Sequence, residues 1–449
     1  MGLKLSVACI REQMTNITKK YNIVVVGAGP SGVACAITLA RAGKNVLLVE
    51  RGNFAGAKNM FGGALYKKSI EEFFPDFINN GAPIERFNKV HQYMLLDDED
   101  STTICYNNNS KDAESFTVLR PKWDRWAVAQ AEKEGVCVAT NTTVRELLID
   151  TGKVIGIKTD FEEYFCDLVI LADGVNSLLA KQIGLRKTII PKNVALGVKE
   201  VLKLAPETIQ ERFNLKENEG CVVEIIGGPM KSMLGLAYIY TNKESIAIGI
   251  GVSLEELKQH KLKPFDLLEE IKSHPTIAQL IKGSTLLEYS AHLIPEGGYN
   301  AISDLFADGV LVIGDAAGLV NNVHWEGTNL AMTSGKFAAI TAIDAIEKND
   351  FSKQTLKKYK ELLENSFVIK DMKSYQNIMD IVHDNSQSYL DFWIRKINMF
   401  FKTFITVDGV EKKKKFGDFI VQTLKQRGVV GLFKDAWGVI KIFVRFFRQ

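Results

Sequence analysis

The first regular pattern in the chain is a run of apolar β-branched residues, Val24, Val25 and Val26, that ends in a cluster of glycines. A short continuous run of this kind predicts a strand buried on both faces. Gly27, Gly29 and Gly32 follow in the spacing G-x-G-x-x-G. Next come a helix-forming stretch and a second apolar run, Val46 to Val49, closed by Glu50. Strand, glycine turn, helix, strand and acid together predict a βαβ unit that takes a dinucleotide. The first glycine permits the tight turn, the second lets the backbone approach a pyrophosphate, and the third lets the helix pack against the strand. The helix N-terminus then faces the phosphates, and Glu50 stands where a carboxylate can hold ribose hydroxyls. The motif alone does not separate NAD from FAD.

The pattern changes along the chain. The stretch after Glu50 is rich in small residues, with Gly56, Gly62 and Gly63, as an ordinary loop is, or as close backbone approach to a flat ligand requires. Residues 82–118 read as strands separated by polar loops. Leu119 to Gly135 begins as a loop at Arg120-Pro121 and continues as a helix. Arg120 can reach a phosphate or a flavin edge, while Asp124 and Arg125 can equally form a solvated pair. Strands are predicted over 137–142 and 154–158. An apolar strand then leads to Ala172-Asp173-Gly174 and Ser177, a second strand–turn–helix that returns the chain to the dinucleotide domain. Residues 193–203 and 220–252 alternate and predict antiparallel strands of a separate sheet, with a helical stretch over 254–281. Val310 to Ile313 reads as another buried strand, ended by Gly314-Asp315. Gly327-Thr328-Asn329 opens a helix lined by Ala331, Ser334, Gly335 and Ala338. An Asp at such a strand end can accept from a sugar or ribityl hydroxyl, and the helix N-terminus can face the electron-rich edge of a reduced flavin.

The last hundred residues read as amphipathic helices. In Leu432 to Arg448 the polar positions Lys434, Gly438, Lys441, Arg445 and Arg448 recur in steps of four and three, and nearly all the rest are Leu, Phe, Trp, Ile or Val. The pattern suits a helix lying on a bilayer with its cations to one side. Packing on the domain core or on a protein partner is the alternative. Asp391 to Ile405 repeats the pattern, with Arg395 and Lys402 facing one way. Charge strengthens the membrane reading: the chain of 449 residues has a net charge of +3, but residues 411–449 alone carry +7 and the remainder −4. That asymmetry points to an anionic surface near the tail. No nucleic-acid motif accompanies the tail's Phe and Trp, so nucleic acid is not expected. No stretch reaches the roughly 18 uncharged apolar residues that span a bilayer. Residues 1–20 read as an extension before the first strand. The apolar run Val7 to Ile10 is too short for a secretory signal, and Met14 is also a sensible start. Six cysteines include no C-x-x-C pair and none after Cys221, so no metal or iron–sulfur site is legible and a reducing, cytoplasmic setting is expected.

Three separated pieces, GAGPSG with Glu50, ADG at 172–174 and GDAAG at 314–318, together resemble FAD-dependent oxidoreductases of the glutathione-reductase type. Two longer stretches look like the FixC group of electron-transfer-flavoprotein:quinone oxidoreductases: RGNFAGAKNMFGGALY, and IPEGGYN followed by GTNLAMTSGKFAA. The resemblance covers about residues 20–440. It implies an α/β fold with a discontinuous FAD-binding Rossmann domain at 21–75, 119–190 and 300–348. A β-rich quinone domain at 76–118 and 191–299 interrupts it, and a helical, membrane-contacting region follows at 349–449.

By position, the resemblance assigns the AMP–pyrophosphate end of FAD to Gly27, Gly29, Pro30, Ser31, Gly32 and Glu50, with Arg51 beside the adenosine. Ala57, Lys58, Asn59, Met60, Gly62 and Gly63 would lie near the isoalloxazine. Arg120, Gly314 and Asp315 would serve the pyrophosphate and ribityl region, and Gly327, Thr328 and Asn329 the flavin edge. Asp173 and Gly174 would support the phosphate side, and Val144 joins the cofactor set. The flavin would carry the chemistry, so no catalytic side chain is assigned; His324 or Tyr66 can donate to a quinone oxygen.

The implied function is electron transfer between an electron-transferring flavoprotein and a membrane quinone, menaquinone or ubiquinone. The implied place is the inner face of the cell membrane, as a peripheral protein. Single-chain relatives end in a ferredoxin-like domain whose four cysteines bind a [4Fe–4S] cluster. The lack of cysteine after residue 221 therefore implies a separate ferredoxin-like subunit of the FixX type, beside the alpha and beta subunits of the flavoprotein. The generic FAD motifs are shared with geranylgeranyl or prenyl-lipid reductases and with FAD-dependent aromatic hydroxylases, which stand as alternatives. A scaffold subunit with a structural flavin is a third.

Overall fold

The computed structural model describes residues 21–58 and 63–447. The N-terminal extension and, among the expected site residues, Asn59, Met60 and Gly62 lie outside the described residues, as does Arg448. The chain forms two compact units. One comprises the described parts of Met1–Glu85, Glu114–Val194 and His292–Lys373; the other comprises Arg86–Ala113, Ala195–Ala291 and the described part of Ser374–Gln449.

The first unit is built on a parallel sheet. Tyr21–Val26 lies at its centre, between Glu163–Leu171 on one side and Val46–Val49 on the other. Val310–Val312 extends the sheet beyond Glu163–Leu171, and Cys137–Ala139 extends it beyond Val46–Val49. Ile23, Val24 and Val25 are wholly buried, as a strand covered on both faces must be. The hairpin Val144–Asp150 with Lys153–Thr159 adds an antiparallel flap to Glu163–Leu171. Its first strand escapes the periodicity argument, because Val144–Asp150 buries only Leu147.

Two helices close over the glycine turn with almost no side chain between backbones. The helix Pro30–Arg41 begins directly after it, and the helix Thr328–Lys348 packs alongside. A Cβ on Gly32 would stand 1.9 Å from the Gly27 carbonyl oxygen, and one on Gly335 would stand 2.2 Å from the Ser31 carbonyl oxygen. Gly27 itself has φ +108° and its Cβ position lies 2.3 Å from the Ala172 carbonyl oxygen. The helix expected to begin after a loop at Arg120-Pro121 starts at Arg120 itself, with Pro121 in its first turn, where a missing N–H costs nothing.

The second unit holds a sheet in the order Thr285–Pro295, Val194–Lys203, Ser245–Ser253, Gly235–Thr241, Glu219–Gly227, Ile84–Leu96, Ser101–Asn107. From Val194–Lys203 onward the pairings are antiparallel except for Glu219–Gly227 with Ile84–Leu96, which is parallel. One face, with Val198, Val223, Ile225, Ile239, Ile248 and Ile250, packs into a core shared with the helices Pro206–Phe213, Pro264–Ser273 and Pro275–Ile281. The single helical stretch expected over 254–281 is three helices, because Pro264 and Pro275 each begin a new one.

The tail belongs to this unit. The helix Trp393–Ile405 docks on the turn between Ile84–Leu96 and Ser101–Asn107. Asn398 donates to Asp97 at 3.0 Å, Arg395 to Asp98 at 3.0 Å, and Lys402 to Asp100 at 2.8 Å. The segment Lys412–Phe447 is two helices meeting at Gly428, which has φ +71°. The second is held by Asp435, which accepts from Trp393 at 3.0 Å and from Arg427 at 2.7 Å. Burial alone would raise the Asp435 carboxyl, but these bonds hold it below the usual carboxylate range. Gly438 abuts the Tyr389 hydroxyl, and Arg445 donates to the Gln376 carbonyl at 2.8 Å.

Gly335→Ala is expected to destabilise the chain by about 1–3 kcal/mol, as overpacking does, because the 2.2 Å approach is to rigid backbone. Thermal unfolding checks this, with Gly43→Ala as the control for strain alone, since that glycine has φ +70° and open space around it.

Candidate functional site

The site in the first unit grows out of the glycine turn. Gly29 has no atom within 4 Å of the place a Cβ would take, so its backbone is open to whatever lies above the turn. Ser31 is buried beside it, with its Oγ 2.6 Å from the Cβ position of Gly314. The turn after Val310–Val312 is thereby held against the start of the Pro30–Arg41 helix. Gly314 donates its N–H to Ser334 Oγ at 2.9 Å, which ties the same turn to the Thr328–Lys348 helix.

Glu50 accepts from the N–H of Ala28 at 3.1 Å and from that of Gly52 at 2.7 Å. It therefore staples the glycine turn to the end of Val46–Val49. Arg51 and Lys58 are exposed, and Ala57 is half-buried. Arg120 is buried and forks onto both oxygens of Asp124 at 3.0 Å. The solvated Asp124–Arg125 pair is thus not formed: Asp124 is buried with Arg120, and the Arg125 guanidinium stacks 3.5 Å above the Phe54 ring. Asp173 accepts from Ser177 Oγ at 3.3 Å, and Gly174 turns the chain with φ +75°. Val144 is half-buried at the start of its strand.

Charge converges around Asp315. Burial raises its carboxyl above the ordinary range, against the pull of Arg120 and Arg186. Arg186 donates to the carbonyls of Asp315 at 3.1 Å and Ala316 at 2.6 Å, and burial lowers its own pKa. Glu296, in the IPEGGYN stretch, is pushed up to about 8 by burial and by Asp315. His292 is lowered by burial and by Arg51 and Arg120. Arg186, Glu296, His292 and Ser334 escape the sequence argument as site residues. Ser334 has a signal there as one of the small residues lining its helix, and Glu296 as the lone acid of a Pro-Glu-Gly-Gly turn.

Gly327, Thr328 and Asn329 form the start of the Thr328–Lys348 helix. Asn329 donates to Glu326 at 3.2 Å, yet its Oδ1 is buried with no partner. Tyr66 and His324 are exposed. Among the described residues no group of His, Cys, Asp and Glu is arranged to hold a metal ion.

The structure therefore brings together an open glycine backbone, a helix N-terminus, two guanidiniums and buried carboxyls. Backbone N–H groups and guanidiniums suit a pyrophosphate, and carboxyls suit sugar hydroxyls. The orphaned Asn329 Oδ1 suits a ring that brings an N–H donor, as an isoalloxazine does. These residues fit FAD.

The comparisons agree. A family model described as an FAD binding domain matches residues 20–365, and one described as the ETF-QO/FixC family C-terminal domain matches residues 378–443. Among solved structures, a geranylgeranyl bacteriochlorophyll reductase-like protein from Thermoplasma acidophilum has a TM-score of 0.70 at 19% identity, covering 91% of this chain and 98% of that one. A flavin-dependent brominase has a TM-score of 0.62 at 15% identity, covering 91% and 100%. At such identities the likeness is one of fold. The class is thus an FAD-binding flavoprotein with a Rossmann-like sheet.

The family follows from closer relatives. Protein FixC of Azorhizobium caulinodans is 42% identical over 428 residues, covering 94% of this chain and 98% of that protein. Protein FixC of Escherichia coli (strain K12) is 37% identical over 424 residues, covering 92% and 97%. The chain belongs to the FixC/ETF-QO family of FAD-dependent oxidoreductases.

Glu296 binds more protons in the folded chain than in the unfolded one between about pH 4.5 and 8. Stability of the FAD-free protein is therefore expected to fall as pH rises through that window. Thermal midpoints measured from pH 5 to 8 check this, and Glu296→Gln is expected to flatten the slope.

Proposed function

We propose that the chain passes electrons between an electron-transferring flavoprotein and a membrane quinone, with a separate ferredoxin-like subunit of the FixX type in between. The observation that carries this reading is the outward face of the tail, in the segment that matches the ETF-QO/FixC C-terminal domain. Phe433, Trp437, Ile440, Phe443, Val444 and Phe447 are all at least half exposed, while Asp435 and Gly438 are buried. The polar stripe read from the sequence is thus split: Gly438 and Arg445 turn inward, and Lys434 and Lys441 flank the exposed apolar face. A helix with apolar residues outward and flanking lysines suits the boundary of an anionic bilayer. No helix among the described residues is long and apolar enough to cross a membrane.

In this reading the second unit is the quinone domain and the first holds FAD. Gly27, Gly29, Pro30, Ser31 and Gly32 present backbone to the pyrophosphate. Arg120 from a buried position and Arg186 from a half-buried one balance its charge, each already oriented by a bond within the protein. Glu50 and Arg51 hold the adenosine end, and Asp173 and Gly174 keep the phosphate side in shape. Gly314 and Asp315 face the ribityl chain. Gly327, Thr328 and Asn329 hold the flavin edge, with Ala57, Lys58 and Gly63 on the ring side and Val144 as a further member of the cofactor set. FAD supplies the redox chemistry when bound. What the chain does is bind and orient it, neutralise its phosphates and exclude water.

The test is anaerobic reoxidation of the photoreduced protein by a short-chain quinone, with liposome flotation on the same sample. Rapid reoxidation and flotation with anionic vesicles are expected. Phe433→Asp with Trp437→Asp is expected to abolish flotation and leave reoxidation by the soluble quinone within about twofold, because one buried charge at a bilayer costs on the order of 2–3 kcal/mol. Wild-type protein that keeps its flavin reduced in the presence of quinone would overturn the reading. Gly29→Ala is expected to spare thermal stability and weaken FAD retention about tenfold, or 1.4 kcal/mol.

A further inference from the structure

The face of the second unit's sheet opposite its core carries a row of chemically active side chains. Strand pairing sets them side by side: Tyr93 beside Glu224, Glu224 beside Tyr238, Tyr238 beside Gly249, and Gly249 beside Lys199. The row runs from wet to dry. Tyr93 is 44% exposed, Glu224 is half-buried, and Tyr238 and Lys199 are buried. A Cβ on Gly249 would stand 2.6 Å from the Tyr238 hydroxyl, so that ring lies over the glycine and opens the surface beside Glu224. Tyr238 and Tyr240 stack with centroids 4.6 Å apart. Cross-strand pairing sets Tyr93 directly beside Glu224, and Glu224 Oε2 is buried with no partner.

A buried carboxyl oxygen without a partner, in a row of tyrosines that leads to solvent, is costly unless it serves a ligand or a proton. We propose that Glu224, with Tyr93 as its link to water, delivers a proton to a carbonyl oxygen of a quinone seated on this aromatic face. The proposal rests on the quinone reading above. The quinone accepts two electrons, supplied by the cofactor, and two protons. One proton leaves the Glu224 O–H as the new quinol O–H forms. The second comes from solvent at the other carbonyl. The carboxylate left behind regains its proton from water by way of the Tyr93 hydroxyl, so Glu224 is unchanged over a turnover.

The local charges favour this use. Burial raises the Glu224 carboxyl to about 7, while the Tyr93 hydroxyl beside it pulls the other way. His91, on the same face of the same strand as Tyr93, is lowered by burial and is neutral there. Tyr238 is raised by burial and by Tyr240, so it too stays neutral. The short π-helix Gln387–Phe392 packs on the Glu219–Gly227 strand, and its Asp391 is taken up by Gln387 and Arg395. Lys199, at the dry end of the row, is three strands away from Glu224. Glu224 is therefore an acid below about pH 7 and loses that capacity above it.

The experiment compares wild type, Glu224→Gln and Tyr93→Phe, each purified with FAD and photoreduced. Reoxidation is followed from pH 5.5 to 9 with a short-chain quinone, and with ferricyanide, which takes electrons without protons. Infrared spectra of the same proteins follow the carbonyl stretch of the protonated carboxyl. In wild type the quinone rate is expected to fall as pH rises through about 7, in step with the carboxyl band. Glu224→Gln is expected to slow the quinone reaction about a hundredfold, flatten its pH profile and remove the band, with the ferricyanide rate unchanged. Tyr93→Phe removes the hydroxyl that favours the carboxylate and is expected to move the midpoint upward. A purely packing role for Tyr93 would leave the midpoint in place. An unchanged quinone profile in Glu224→Gln, or a band that titrates below about pH 5, would overturn the assignment and leave the quinone reading standing. Wild type that answers to ferricyanide but not to quinone would overturn both.

Discussion

Three carbonyl oxygens stand where side chains would otherwise be. The Ala172 carbonyl lies against Gly27, the Gly27 carbonyl against Gly32, and the Ser31 carbonyl against Gly335. Each approach is closer than any Cβ tolerates, so the sheet, the Pro30–Arg41 helix and the Thr328–Lys348 helix meet backbone to backbone. Much else in the first unit follows. The glycine turn is left with its backbone open at Gly29, and the Gly314 turn is drawn onto Ser31. The carboxyl of Asp315 is thereby buried near Arg120 and Arg186. The site is assembled mainly from what is missing, and the charged residues take their places around that gap.

That is why the glycines were the most informative part of the sequence. Their spacing reports the backbone contact directly, because no other residue can make it. The strands of both sheets were also legible where burial is continuous or strictly alternating. Legibility failed where a residue's role depends on a distant partner. Arg120 and Asp124 sit four apart on one helix and pair there, yet nothing in their spacing distinguished that pair from Asp124 with Arg125 next to it. Arg186 acts through carbonyls more than a hundred positions away, which leaves no local pattern. Val144–Asp150 is a strand whose half-exposed residues give no clean period. Glu224 alternates correctly with its neighbours and reads as an ordinary solvent-facing position. Only the pairing with Tyr93 and Tyr238 marks it.

The tail teaches a related lesson about periodicity. Steps of three and four define a stripe on a helix but not the direction in which it faces. In most surface helices the polar side meets water. Here the inward residues include Asp435, Gly438 and Arg445, each engaged with the helices before it. The apolar side is left outward. A composition rich in Phe and Lys allowed either arrangement. The deciding fact is the hydrogen-bonding demand of one acid, Asp435, which finds Trp393 and Arg427 within reach.

The docking of Trp393–Ile405 on the turn at Asp97 to Asp100 also sets an order of events during synthesis. The bonds from Asn398, Arg395 and Lys402 join positions about 300 residues apart. At typical ribosomal speeds of about 5–20 residues per second, that turn waits on the order of tens of seconds for its partner. Through that interval Asp98 and Asp100 stand without the cations of that helix, and the hairpin that bears them keeps its register by backbone pairing and by Asp97 Oδ1, which accepts from the N–H groups of Glu99 and Asp100. The second unit is thus finished from its far end. Until Trp393–Ile405 leaves the ribosome, the unit's hairpin edge is an acidic surface open to any basic neighbour, and the arrival of that helix is what closes it.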